Sequence, residues 1–211
     1  MQFGFGSHNA CEQIALSLQT KINGNPCGGE WILIQVDVIN AFNTGKRAAI
    51  VEAVRTLAPH LLPWVCMSLQ TNDLLLGESW IEGTEGTQQG APLSPLLFAL
   101  TIQQVIKRLS PVTNVWYLDD GTLLCSVPEG DAALRTLLGA FPPLGAPLSL
   151  GAEAKTTVWG PDLPSLDSLN SLPEDSPLRR CQLIPYEEGS GVSVQGLPLN
   201  KPGARSSRRT S

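Results

Sequence analysis

Apolar positions along the chain alternate between two periods, and the changes of period mark out its elements. Cys11, Ile14, Leu18 and Ile22 recur at helical spacing, with Asn9 and Glu12 set ahead of them as a capping pair. After a glycine-containing loop over 24–29, the run Trp31 to Val38 reads as a strand. Helical spacing returns from Lys46 to Ala58, where Ile50, Val51, Val54, Leu57 and Leu61 share a face, and stops near Pro59. Leu74 to Ile81 predicts a short strand before a turn over 83–86. Ser94 with Pro95 is an N-cap followed by proline at the first helical position, and it opens an amphipathic helix over 96–109. Val112 to Leu118 and Thr122 to Val127 are strand-like runs on either side of Asp119-Asp120-Gly121, a short-range hairpin signal. Asp131 is placed to cap a helix that reaches about Phe141. The pattern predicts an α+β domain over 1–160, with helices on one face of an antiparallel sheet. Beyond it, prolines 161, 164, 173 and 177 predict an irregular linker over 161–181. A hairpin over 182–200 and a disordered, Arg/Ser-rich tail over 201–211 follow.

The chemistry sits where strands end. Asp119 and Asp120 fall at the tip of the predicted hairpin, and Asp-Asp-Gly turns are common where nothing binds. What singles this one out is Asp37, at the end of the strand Trp31 to Val38. Two strands laid side by side would converge the three acids. Clustered carboxylate oxygens suit Mg²⁺, which leaves positions for water and substrate phosphates. Two such ions assist in-line phosphoryl displacement, so a polymerase or a nuclease is implied.

The segment between the acids separates those classes. Gly86-Thr87-Gln88-Gln89-Gly90-Ala91-Pro92-Leu93-Ser94-Pro95-Leu96-Leu97-Phe98 resembles the QG-x-P-x-SP-x-LF block of reverse transcriptases. Asp37-Val38-Ile39-Asn40-Ala41-Phe42-Asn43 resembles their first palm block, and Tyr117-Leu118-Asp119-Asp120 their Y-x-D-D block, in the family's order. The wording is similar to that of non-LTR retrotransposons. The resemblance implies a polymerase palm with incomplete fingers and thumb, acting as an RNA-directed DNA polymerase that moves a nucleotide from a dNTP to a primer 3′-hydroxyl. Asp37, Asp119 and Asp120 would hold two Mg²⁺ ions, with Mn²⁺ as a substitute. Phe42 would be a steric gate against ribose. Gln89 and Gly90 would seat the nascent base pair. Lys155 would protonate pyrophosphate, although its spacing from Leu150 departs from the family pattern; its bland reading is a solvated lysine opening a strand. Val192 to Leu199 resembles the primer-grip hairpin. RNA template, DNA primer and other parts of a retroelement protein are the implied partners, inside the cell and compatibly the nucleus.

Composition adds one complication. An apolar fraction of 42% with 16% charged residues is globular, and five cysteines without a C-x-x-C pair argue against a disulfide framework or zinc module. No apolar run has the length of a membrane span. Yet positions 1–178 carry a net charge of −9 and positions 179–211 one of +4, where a duplex-holding enzyme is usually basic. That imbalance, with the missing upstream finger blocks, supports an alternative: a truncated, catalytically silent remnant or binding module that keeps the palm fold. A third reading, an unrelated two-metal nuclease, fits poorly with the block between the acids.

Overall fold

The computed structural model describes residues 1–24, 30–70, 74–81, 83–88, 90–109, 112–151, 154–161, 163, 167–184 and 192–199; the expected tail at 201–211 lies outside them. In chain order the elements are α1 (Ala10–Asn23), β1 (Ile32–Val36), α2 (Ala41–Thr44), α3 (Arg47–Leu57), α4 (Leu62–Ser68), β2 (Leu74–Leu76), β3 (Ser79–Ile81) and α5 (Ser94–Lys107). There follow β4 (Thr113–Tyr117), β5 (Asp120–Cys125), α6 (Val127–Ala140), β6 (Thr157–Trp159), α7 (Asp167–Asn170), β7 (Gln182–Ile184), β8 (Val192–Val194) and β9 (Leu197–Leu199).

The main sheet runs β4-β5-β1-β6-β7, so the first strand made lies at its centre. Pairing is antiparallel except between β6 and β7. β1 is apolar on both faces because both faces are covered. Ile32, Ile34 and Val36 join Phe98, Ile102, Leu134 and Leu137 of α5 and α6 in one core, whereas Trp31 and Leu33 join Ile14, Leu18 and Ile22 of α1 in another. The sheet is therefore the α+β palm-like arrangement expected, with one refinement. α5 and α6 take one face, and α1 takes the other together with the β8–β9 hairpin. A smaller cluster of Ile50, Val54, Val65 and Leu97 ties α3 and α4 to α5.

Local chemistry moved several boundaries. Asn9 does precede α1, but it is left-handed (φ 50°) and makes no side-chain cap. Ser94 is the first residue of α5 rather than its cap; its hydroxyl donates to the Gln88 carbonyl at 2.8 Å and ties down the preceding loop. The segment 74–81 is a hairpin rather than one strand, turning at Gly77 (φ 63°) and Glu78. α6 starts before Asp131, at a capping box formed by Ser126 and Glu129. Asp131 lies buried inside that helix, where it accepts a hydrogen bond from the buried Ser176 hydroxyl and pairs with Arg135 at 2.9 Å. Arg135 also meets Asp175 at 3.0 Å. These bonds fasten the proline-rich stretch, whose Leu163, Leu169, Leu178 and Cys181 sit in the core with α6.

Candidate active site

The register of β1 against β5 builds the site. Val36 pairs with Gly121, so Asp37, the residue after β1, comes beside Asp120, the first residue of β5. On the other flank Tyr117 pairs with Asp120, which leaves Leu118 and Asp119 as a two-residue turn. The turn thus falls on Leu118-Asp119, not on Asp-Asp-Gly. Leu118 has φ 55°, a left-handed conformation that glycine normally supplies in such a turn. A leucine held there costs roughly 1–2 kcal/mol, so something nearby must hold it. Gly121 has a different duty. A Cβ on it would lie 2.6 Å from the indole of Trp116, the residue paired opposite, so glycine here makes room for a buried ring.

Asp37 is fixed through its backbone. Its N–H donates to the hydroxyl of Thr156 at 3.1 Å, its carbonyl accepts from Ser149 N–H at 3.0 Å, and Thr156 is fully buried. The chain then turns at left-handed Asn40 into α2, which carries Phe42. The Phe42 ring packs on Phe98 with centroids 5.4 Å apart, and its carbonyl accepts from Thr87 N–H at 2.7 Å. That bond joins the first acidic block to the Gln-Gly block. Gly86 is needed for the approach, since a Cβ there would lie 2.4 Å from the Asn43 carbonyl oxygen. Gly90 is exposed with φ 87° and open space beside it, and lines with Phe42 and Pro92 a cleft of about 510 Å³. Gln89 lies outside the described residues.

Two more clefts meet at Asp37. One, about 470 Å³, is lined by Asp37, Phe42, Asp119, Ser149 and Lys155. The other, about 230 Å³, is lined by Asp37, Asp120, Lys155 and Gln195. Gln195 belongs to the β8–β9 turn, where it and Gly196 both have positive φ, and its side-chain amide reaches the Asp120 carboxylate at 3.4 Å. Lys155 is exposed, its backbone N–H bonded to the Ser149 hydroxyl at 3.3 Å. Burial pushes the Asp37 carboxyl above its ordinary range, against the pull of Lys155 and with a push from Asp120. Burial likewise raises Asp119; a bond to its own backbone and the charge of Lys155 oppose this, while Asp120 and Asp37 reinforce it.

These acids are therefore charged at a cost that a cation would relieve. Among the described residues, no three Asp, Glu, His or Cys side chains are set to hold a metal ion by themselves. Mg²⁺ seldom asks for that: it binds through one or two carboxylates and completes its shell with water and substrate phosphates. Asp37 and Asp119, all-oxygen donors on one cleft, suit such an ion.

Asp37, Phe42, Asp119, Asp120, Gly90 and Lys155 were all visible as candidates in the chain, and the fold brings the acids, Phe42 and Lys155 around two adjoining clefts. Thr156 and Gln195 were not. Their signal would have been polar residues inside β-rich or turn segments, where a side-chain bond to backbone is the usual reason for their presence.

A mainly antiparallel sheet whose central strand and neighbouring hairpin deliver acids to one cleft is the architecture of a polymerase palm. The chain belongs to the reverse transcriptase (RNA-dependent DNA polymerase) family, which matches residues 1–141. Among solved structures it is similar to telomerase from Candida tropicalis, in a complex with the TWJ fragment of telomeric RNA, with a TM-score of 0.50 and 12% identity. That likeness covers 65% of this chain and 28% of the telomerase chain, and at this identity it shows the fold alone. No curated protein matches the sequence significantly. No helix among the described residues is long and apolar enough to cross a membrane.

Proposed function

We propose that this chain is the palm of an RNA-directed DNA polymerase from a non-LTR retroelement, transferring nucleotides from dNTPs to a primer 3′-hydroxyl on an RNA template. The observation that carries the reading is the β1–β5 register, which sets Asp37 beside the hairpin acids at the mouth of a cleft also lined by Phe42 and Lys155. Asp37 and Asp119 would hold divalent cations, with Asp120 assisting, and bound Mg²⁺ would supply charge neutralisation at the reacting phosphate. The remaining work falls to the chain's own groups. Phe42, backed by Phe98, lines that cleft and would screen the sugar of an incoming nucleotide against a 2′-hydroxyl. Gly90 leaves backbone space for a base pair, with Gln89 beside it in sequence. Lys155 stands ready to give a proton to the departing pyrophosphate. The β8–β9 hairpin, touching Asp120 through Gln195, would steady the primer strand.

The test is extension of a DNA primer on an RNA template with Mg²⁺ and then Mn²⁺, comparing the parent with Asp119→Ala. Extension lost in the variant supports the proposal. The net charge of −9 over 1–178 favours a second reading, a palm that keeps its fold and cation site without holding a duplex. Mn²⁺ binding without extension by a folded parent is the mark of that state.

A further inference from the structure

We propose that Gln2 is a positioning residue that holds the catalytic turn in its strained shape; this rests on the polymerase reading for its functional part only. The residues before α1 run alongside β4, where Phe3 N–H donates to the Trp116 carbonyl at 2.7 Å and Gln2 forms a parallel bridge with Trp116. That ladder cannot continue past Tyr117, because Leu118 turns left-handed and its N–H and carbonyl leave the pairing of β4 with β5. The Gln2 side chain takes over both. Its Oε1 accepts from Leu118 N–H at 2.9 Å, and its Nε2 donates to the Leu118 carbonyl at 3.1 Å. Oε1 accepts a second bond from Gly4 N–H at 2.9 Å. Two N–H partners and one carbonyl leave a single orientation for the amide.

Gly4 closes the grip from the other side. A Cβ on Gly4 would lie 2.5 Å from Leu118 N and 2.6 Å from its side chain, so this glycine lets the chain lie directly against the turn. Leu118 immediately precedes Asp119, so a turn that relaxes from φ 55° swings that carboxylate away from Asp37. A glutamine far off in sequence thereby does the conformational work that a glycine in the turn would otherwise do.

The experiment is amide hydrogen exchange together with steady-state extension kinetics on the full chain, comparing the parent with Gln2→Met, Gly4→Ala and Gln2→Met/Leu118→Gly. Loss of two bonds to one residue should speed Leu118 amide exchange in Gln2→Met by at least about tenfold, while the amides of Leu123 and Leu124 at the strand core keep their protection. kcat should fall about tenfold or more with KM for dNTP held within about twofold, since the defect lies in the geometry of Asp119 rather than in nucleotide binding. Leu118→Gly adopts positive φ without strain, so it should return much of the lost kcat in the Gln2→Met background. Gly4→Ala should reproduce the Gln2→Met pattern from the opposite side. Unchanged Leu118 exchange in Gln2→Met overturns the clamp. So does a fall in kcat that glycine at 118 leaves untouched, or one that only tracks a lower Tm. A parent that does not extend primers refutes the polymerase reading, and exchange at Leu118 then decides the clamp alone.

Discussion

Substituting Gly121→Ala probes the sheet where it meets the acids. The added Cβ would lie 2.6, 2.7 and 2.8 Å from Cη2, Cζ3 and Cζ2 of Trp116, well inside ordinary contact. Trp116 cannot retreat: it is fully buried and packs at a tilt against Phe141 with centroids 5.8 Å apart. Overpacking of this kind costs about 1–3 kcal/mol. Against it stands the gain from replacing a glycine that does not need positive φ, about 0.4–1 kcal/mol through the unfolded chain. The steric cost wins, and for a chain of this size the Tm should drop by roughly 5 °C. Because Gly121 pairs with Val36 next to Asp37, extension activity should fall further than the remaining folded fraction explains. Trp116→Phe supplies the decisive comparison. It opens space above residue 121 and removes an indole N–H that has no partner among the described residues, so the double variant should recover at least about 1 kcal/mol relative to additivity. Thermal melts of the four proteins check this. An unchanged Tm in Gly121→Ala, or additive costs in the double variant, would refute the packing argument.

Asp119→Asn should abolish extension while melting no lower than the parent, because it removes a charge that burial and two neighbouring acids disfavour; a melt and an extension assay on the same sample check it. Phe42→Ala should admit ribonucleotides, read as the ratio of dNTP to NTP incorporation, and should lower Tm through loss of the Phe98 contact. Ser126→Ala should cost about 1 kcal/mol by removing half of the α6 capping box. Ser126 also holds the Glu129 carboxyl below its ordinary value of 4.5. That stabilisation is complete above the unfolded value and is lost as pH falls through the lower folded one, so the gap in Tm between parent and Ser126→Ala should narrow on acidification below about pH 4.5.

The sequence was most legible where one periodicity dominated. The strand ending at Asp37, the helices α3 and α5, and the paired runs around Asp119 are all present because their apolar spacing admits a single buried face or, for β1, two. Turn chemistry was less legible, since it depends on distant partners. Asp-Asp-Gly looks like the turn, yet Trp116 claims the space over Gly121 and the reversal moves to Leu118, which Gln2 bonds at both its N–H and its carbonyl. The capping box at Ser126 was readable and was overshadowed by Asp131, whose real partners Ser176 and Arg135 lie on another segment and one helical turn away. In the candidate site, residue types pointed to the carboxylates and Lys155. Thr156 and Gln195 act through single bonds to backbone and carboxylate, contacts that no local pattern announces.

The central place of β1 also has a consequence during synthesis. Ile32 to Val36 leaves the ribosome long before the strands that flank it, and both its partners, β5 and β6, are encoded more than eighty residues downstream. Until they emerge, the nascent chain carries a short, uncharged, strand-forming segment with two open edges, the kind of sequence that associates with other chains. Slowing translation between Val36 and Trp159 should therefore lower soluble yield, whereas the same delay placed after Trp159 should have little effect.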